Sequence, residues 1–191
     1  MAVRVLVIPG ATRSESFAKK LGRVAASVVT EAGGSPTFVD LRDHPMPLYD
    51  GDLEAKEGLP PHAVELRGIL KQHDAVLFAT AEYNASLPAV LKNTIDWLSR
   101  PYAPEPGVSV WKSKVAGLLS SSPGALGGMR ALVHLRQVLM NLGLLVVTEQ
   151  FALGNAASAF GPDGGLVDPK AKASVLTVVR SVVHVAERLG A

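Results

Sequence analysis

The 191-residue sequence contains no cysteine. Disulfide bonds, thiolate nucleophiles, iron–sulfur clusters and most structural zinc sites need cysteine, so these features are excluded. Apolar residues make up 48% of the chain, but no apolar run approaches the roughly 18 residues of a membrane-spanning helix. The first residues, MAVRVLVIPG, lack the charged region and cleavage site of a secretory signal peptide. We therefore expect a cytoplasmic protein with no membrane partner.

The chain also lacks a strong excess of either positive or negative charge. The net charge is +2, and the lysines and arginines are scattered along the chain. Without a basic run or interleaved basic and aromatic residues, the sequence does not indicate nucleic-acid binding. The histidines, His44, His62, His73, His134 and His184, show no metal-ligand spacing, and we expect them to be surface or capping residues.

Short apolar runs alternate with helical patterns along the chain. Buried strands are predicted at residues 3–8, 37–41, 75–80, 115–119 and 144–148, and the last is expected to be interrupted and to resume near residue 151. Helices are predicted from residue 17 to the glycines at 33–34, at 60–72, 87–99 and 129–141, and in a last segment spanning 175–189. This alternation predicts one α/β domain over residues 1–191, with a doubly wound parallel sheet in the order 2-1-3-4-5 and helices on both faces.

Three loops follow predicted strands 1, 3 and 4, which end at the same edge of such a sheet. The first, GATRSESFAKK, joins a strand to a helix and offers free N–H groups and a helix dipole. Hydroxyl groups and Arg13 make it suitable for one phosphate. It contains neither G-x-G-x-x-G nor a Walker motif, so a dinucleotide or P-loop site is not indicated. Alternatively, Ser16 only caps the helix.

The second loop runs from Ala81 to Asn84. Its amides and the Asn84 side chain can bond the edge of a heterocycle, and Tyr83 can cover a ring. Glu82 could act as a general acid or base, although no second carboxylate or histidine stands at an informative spacing. The alternative is an Asx-type turn with an exposed tyrosine.

The third loop, residues 120–128, contains Gly124, Gly127 and Gly128, which permit close approach of the backbone to a ligand. An ordinary flexible linker is the alternative. One phosphate cradle beside two loops that accept a flat ring suits a mononucleotide flavin better than a dinucleotide.

Trp97 stands apart from the apolar stripe of its predicted helix, which contains Val90, Ile95 and Leu98. An aromatic residue off the stripe, close to the second loop, suggests a dimer interface.

Four segments make the sequence recognisable, in order from about residue 3 to 166: GATRSESFAKKL, PLYDGDLEAKEGLP, AEYNASLPAVLKNTIDWLSR and SSSPGALGGMRALVHLRQVL. They resemble the NAD(P)H-dependent FMN reductases, which include quinone, azo-dye and chromate reductases with a flavodoxin-like fold. The resemblance implies a three-layer flavodoxin-like domain, bound FMN, NADPH or NADH as co-substrate, and a small-molecule electron acceptor such as a quinone, azo compound, flavin or metal oxyanion. It also implies a homodimer or homotetramer.

The same resemblance implies that FMN carries the chemistry, so that no catalytic side chain and no metal are needed. The phosphate would lie on the first loop, and the isoalloxazine ring against the second and third loops. The residues implied to bind FMN are Ala11, Thr12, Arg13, Ser14, Ser16, Phe17, Ala18, Ala81, Glu82, Tyr83, Asn84, Ser121 and Gly124.

The sequence departs from the family at three of these positions. The family usually has Ser where this chain has Ala11, Asn where it has Ala18, and Pro where it has Ala81. Loss of two polar phosphate contacts is expected to cost about 1–3 kcal/mol, or roughly ten- to a hundred-fold in FMN affinity. Two alternatives to a reductase remain: a one-electron carrier of flavodoxin type, and a non-enzymatic relative that no longer holds flavin. The slightly basic net charge is against the acidic carriers.

Overall fold

A computed structural model describes residues 2–190. Its five strands are β1 (Arg4–Gly10), β2 (Ser35–Phe38), β3 (Ala75–Thr80), β4 (Val115–Ser121) and β5 (Leu145–Leu153). Its α-helices are α1 (Phe17–Glu31), α2 (Gly51–Glu57), α3 (Pro61–Lys71), α4 (Ala89–Leu98), α5 (Met129–Asn141) and α6 (Pro169–Arg188). All strands pair in parallel, in the order β2-β1-β3-β4-β5. The predicted fold class and strand order are confirmed.

Alternation along the strands divides the core into two layers. On β3, Ala75 and Leu77 pack with α1 and α6, whereas Val76 and Phe78 pack with α3, α4 and α5. Because both faces are covered, the strand is buried at every position, which explains its continuous apolar sequence. The result is the flavodoxin-like three-layer sandwich.

Two local predictions were wrong. The structure has a short helix, α2, that the sequence did not predict; it buries no residue, so it leaves no apolar periodicity. Its start is nevertheless encoded, since the Asp50 side chain accepts a hydrogen bond from the Asp52 amide. The second strand was expected at residues 37–41 but spans Ser35–Phe38, at the sheet edge where Pro36 is tolerated.

Trp97 also contradicts its prediction. Its side chain is fully buried within the chain, in the layer formed by α3, α4 and α5. The indole N–H donates to the Pro47 carbonyl at 2.8 Å, and the ring meets that of Tyr49 edge to face at 5.0 Å. The segment before α2 covers this side of α4, so Trp97 cannot form a subunit interface.

Among residues 2–190, no helix is both long and apolar enough to cross a membrane.

Candidate functional site

The register of the sheet brings the three loops together. Gly10 pairs with Thr80, and Thr80 pairs with Ser120, so β1, β3 and β4 end at one level. The loops that follow, residues 11–16, 81–88 and 122–128, therefore lie side by side at the carboxyl edge of the sheet. This edge is where open α/β sheets bind ligands.

The first loop presents unused hydrogen-bond donors. The amide N–H groups of residues 12 to 15 donate no hydrogen bond to any residue between 2 and 190. They stand before the N-terminus of α1, whose dipole favours an anion. Thr12, Arg13 and Ser14 are exposed around them. Ser16 is buried and caps the helix, with its Oγ accepting from the Ala18 amide at 3.2 Å.

Phe17 and the two alanines of this loop have mainly packing contacts. The half-buried Phe17 ring stacks on Phe160 at 6.4 Å, and the Arg13 guanidinium lies 5.8 Å from the Phe17 ring centre. This cation–π contact keeps Arg13 beside the free amides. Ala11 and Ala18 are buried, so their methyl groups add no hydrogen-bonding group to the loop.

Lys19 supports the first loop from below. Its side chain is buried, its Nζ donates to the Thr12 carbonyl at 3.1 Å, and it forms an ion pair with Asp40 at 2.7 Å. Burial raises the pKa of Asp40, but the hydrogen bonds from Lys19 and the Arg42 amide, together with the charges of Lys19 and Arg23, outweigh burial and leave the pKa below its usual value. The sequence does not single out Lys19, because a charged side chain in an amphipathic helix is ordinarily exposed.

The second loop is a tight turn. The amides of Tyr83 and Ser86 each donate to the other's carbonyl at 3.0 Å. Between them, Asn84 has φ of 50° and Ala85 has φ of 62°, the left-handed pair of a type I′ turn. Tyr83 is 57% exposed, so its ring remains available to cover a ligand. Ala81 is half-buried beneath the turn, and the Asn84 side chain is exposed.

Glu82 fastens this turn to α5. Its carboxylate accepts hydrogen bonds from the amides of Arg130 and Ala131, at 3.0 and 3.2 Å, and from Arg130 Nε at 2.8 Å. Burial raises the pKa of Glu82, but these bonds outweigh it and lower the pKa below its usual value. A carboxylate held ionised and saturated with donors is a poor proton donor, so the suggested acid–base role is not supported.

The glycines of the third loop have different surroundings. A Cβ atom at Gly127 would lie 2.7 Å from the backbone at the end of β5, and one at Gly128 would lie 3.0 Å from Ser120 Cβ. Both positions also have positive φ, so packing and backbone geometry account for these glycines. At Gly124 a Cβ would meet only Ser122 Oγ at 3.7 Å, so this residue is open to a ligand.

The buried Ser121 hydroxyl at the end of β4 has no hydrogen-bond partner within residues 2–190. A buried polar group without a partner is costly, so a ligand that bonds it would be favoured. Free amides, an exposed arginine, an exposed tyrosine and this hydroxyl together suit a ligand with one anionic group and a flat polar ring. The donor set at this edge therefore fits FMN.

Several known proteins are similar to this chain in sequence or structure. A quinone reductase from Pseudomonas putida is 40% identical over 166 residues, covering 86% of this chain and 84% of the relative. A probable NADPH:quinone oxidoreductase 2 from Oryza sativa subsp. japonica is 33% identical over 193 residues, covering 98% and 91%. The solved structure of FerB, a flavoenzyme NAD(P)H:(acceptor) oxidoreductase from Paracoccus denitrificans, has a TM-score of 0.83 and 30% identity, covering 98% of each chain.

The family model described as NADPH-dependent FMN reductase matches residues 3–158, which include all three loops at the carboxyl edge of the sheet. The sheet order, the unused donors of the first loop and these relatives lead to the same assignment. The chain belongs to the NADPH-dependent FMN reductase family.

Proposed function

We propose that this protein is an NAD(P)H-dependent oxidoreductase that uses bound FMN to reduce a small-molecule acceptor, with quinones as the main class. The observation that carries this proposal is the convergence of the three loops, with the unused amides of residues 12 to 15 at their centre. When bound, FMN supplies the chemistry, by accepting a hydride from NADPH or NADH and reducing the acceptor. The names of the relatives as quinone reductases support the choice of acceptor.

The proposed contacts divide by loop. The free amides of the first loop and the Arg13 guanidinium bind the phosphate, while Lys19 holds the Thr12 carbonyl in place. The backbone at Ala81 to Asn84 bonds the polar edge of the ring, and Ser121 and Gly124 border its other side. The residues that form the proposed site, through contact with FMN or through packing and positioning, are Ala11, Thr12, Arg13, Ser14, Ser16, Phe17, Ala18, Ala81, Glu82, Tyr83, Asn84, Ser121 and Gly124.

Among these residues, Glu82 contributes to the site by holding the second loop in position. Its bonds to the first turn of α5 hold the second loop against the third, so the ring would enter a preformed site. The exposed Tyr83 ring limits water on one side. The proposal includes a single FMN-binding domain over residues 1–191 and a cytoplasmic location, where NAD(P)H is available.

A homodimer is part of the proposal, and an exposed apolar face of α5, rather than Trp97, supports it. Met129, Val133 and Met140 lie on one face of α5 and are 48%, 58% and 60% exposed. Such exposed apolar side chains next to a binding site commonly mark a contact between subunits. Light scattering after size exclusion tests this: a mass near twice the chain's 20.0 kDa is expected, and Val133→Asp should shift it to the monomer.

The enzymatic proposal is tested by three additions under anaerobic conditions. FMN is added to the protein and free flavin removed, NADPH is added, and a benzoquinone follows. We expect a yellow complex that bleaches with NADPH and regains its colour with the quinone. A complex that bleaches only with a separate reductase would indicate an electron carrier, and protein that stays colourless would indicate a non-enzymatic relative.

A further inference from the structure

Two histidines and a glutamate from separate segments meet on the surface beside α3. His62 and Glu65 lie one turn apart at the start of this helix, and His44 reaches them from the segment between β2 and α2. The Nδ1 atoms of His44 and His62 each lie 3.2 Å from Oε2 of Glu65. The ligand atoms of the three residues all lie within 4.8 Å of one another. The spacing of the histidines along the sequence gave no indication of this cluster.

The geometry of the cluster is compatible with a metal site that has three protein ligands. Around tetrahedral Zn²⁺ with bonds near 2.0–2.1 Å, neighbouring ligand atoms lie about 3.3 Å apart. The two nitrogen–oxygen distances of 3.2 Å match this separation. The imidazole rings are 5.6 Å apart at an angle of 88°, so they approach the carboxylate from different directions.

The chemistry of the three side chains agrees with the geometry. Two imidazole nitrogens and one carboxylate oxygen are the ligands of many zinc sites with an open fourth position. The side chains of His62 and Glu65 are 39% and 53% exposed, which leaves an approach from solvent.

We propose that His44, His62 and Glu65 bind one divalent transition-metal ion of the Zn²⁺ class, with water in the remaining position. The bound ion would join the segment that carries His44 to α3. That segment is fixed farther along, where the Pro47 carbonyl accepts from Trp97 and Asn93, whereas the His44 side chain hydrogen-bonds only to Glu65 among residues 2–190.

A metal ion bound to His44 would also affect a cleft beside the first loop. His44 borders a cleft of about 340 Å³ that is also lined by Thr12 and Met46, next to the first loop. An occupied site would therefore restrain one wall of this cleft. The metal site itself uses none of the residues proposed to bind FMN, so it can be tested without flavin.

Isothermal titration of ZnCl₂ into the full chain, free of any histidine tag and treated with a chelator, tests the proposal. One saturable site with a micromolar or tighter Kd is expected. His62→Ala and Glu65→Gln should each weaken binding by about 10-fold or more, because each removes a ligand. The matched control is His184→Ala, which removes an exposed histidine on α6 and should bind as the wild type does.

A thermal-unfolding measurement provides a second readout. Zn²⁺ should raise the Tm of the wild type and of His184→Ala, and at the same concentration should raise the Tm of His62→Ala much less. MgCl₂ should have no effect on any of them, since Mg²⁺ prefers oxygen ligands. Circular dichroism of the metal-free variants verifies that each is folded. Absence of saturable binding, or equal Zn²⁺ affinity in the wild type, His62→Ala and Glu65→Gln, would overturn the proposal.

Discussion

The loops after β1 and β3 lie side by side at one sheet edge but are stabilised in opposite ways. The first leaves the amides of residues 12 to 15 without partners and is held mainly from below, by Lys19. The second satisfies its own backbone through the Tyr83–Ser86 bonds and is fastened to α5 by Glu82. Amide donors without partners can hydrogen-bond a ligand, whereas backbone groups that are already bonded hold their loop in one conformation. We therefore expect the first loop to contribute to the affinity for FMN and the second loop to fix the shape of the binding site.

The largest expected effect is on the stability of the second loop. Glu82→Ala removes a buried carboxylate and leaves the amides of Arg130 and Ala131 without their acceptor. We expect the free energy of unfolding without flavin to fall by about 2–4 kcal/mol. Urea denaturation measures it. The control is Glu15→Ala, since this first-loop carboxylate is 77% exposed and should matter little; an equal loss in both variants would remove the contrast between the loops.

The pH dependence of stability tests the same carboxylate. Its pKa is lowered from 4.5 in the folded state, so its stabilisation is complete above the unfolded pKa and is lost as the pH falls through the folded value. Glu82→Gln cannot ionise and lacks this component. We expect the stability difference between wild type and Glu82→Gln to be constant near neutral pH and to shrink below about pH 4.5. A difference that does not change with pH would show that the charge of Glu82 is unimportant.

For the first loop, the effect should appear in affinity rather than stability. Arg13→Ala removes an exposed guanidinium beside the free amides. We expect FMN binding to weaken by about 10- to 100-fold, from charge-assisted bonds to phosphate worth about 1.5–3 kcal/mol. Unfolding without flavin should change by less than about 0.5 kcal/mol. Quenching of flavin fluorescence measures the affinity, with Arg180→Ala on α6 as control; unchanged affinity would move the phosphate elsewhere.

A smaller effect is expected at the tip of the second loop. Ala85 has φ of 62°, where glycine is favoured, and Asn-Gly is the preferred pair for a type I′ turn. Ala85→Gly should therefore raise the free energy of unfolding by about 0.5–1 kcal/mol. Ala125→Gly, in the third loop, is a matched change at a position where the backbone φ is not positive, and should not stabilise. Destabilisation by Ala85→Gly would mean that the turn relaxes in solution.

The smallest effect concerns the alanines of the first loop. Ala11→Ser restores the hydroxyl that the family usually has, beside the unused amides. One added bond to phosphate should tighten FMN binding by about two- to five-fold, or about 0.5–1 kcal/mol. Ala32→Ser, at the far end of α1, should leave the affinity unchanged. Weaker binding in Ala11→Ser would indicate that the buried methyl is needed for packing.

Much of the fold follows from the sequence because burial leaves a local pattern. Strands covered on both faces are continuous apolar runs, and β3 at Ala75–Thr80 was predicted at its observed bounds. The alternation of strands and helices then restricts the sheet order, and the order brings the three loops to one edge. The short helix α2 escaped prediction because it buries no side chain.

Contacts between distant residues were decided only by the tertiary structure. Trp97 lies off its helix stripe, yet it is buried because the segment around Pro47 folds over it. Glu82 fastens the second loop to α5 through amides that are 48 and 49 residues away in the sequence. His44 lies beside Glu65, which is 21 residues away in the sequence. The periodicity of apolar residues predicts which face of a helix packs against the sheet. It does not predict which distant segment covers a side chain on another face. The sequence alone thus determined the sheet, its edge and the family, and the path of the chain determined the partners of these side chains.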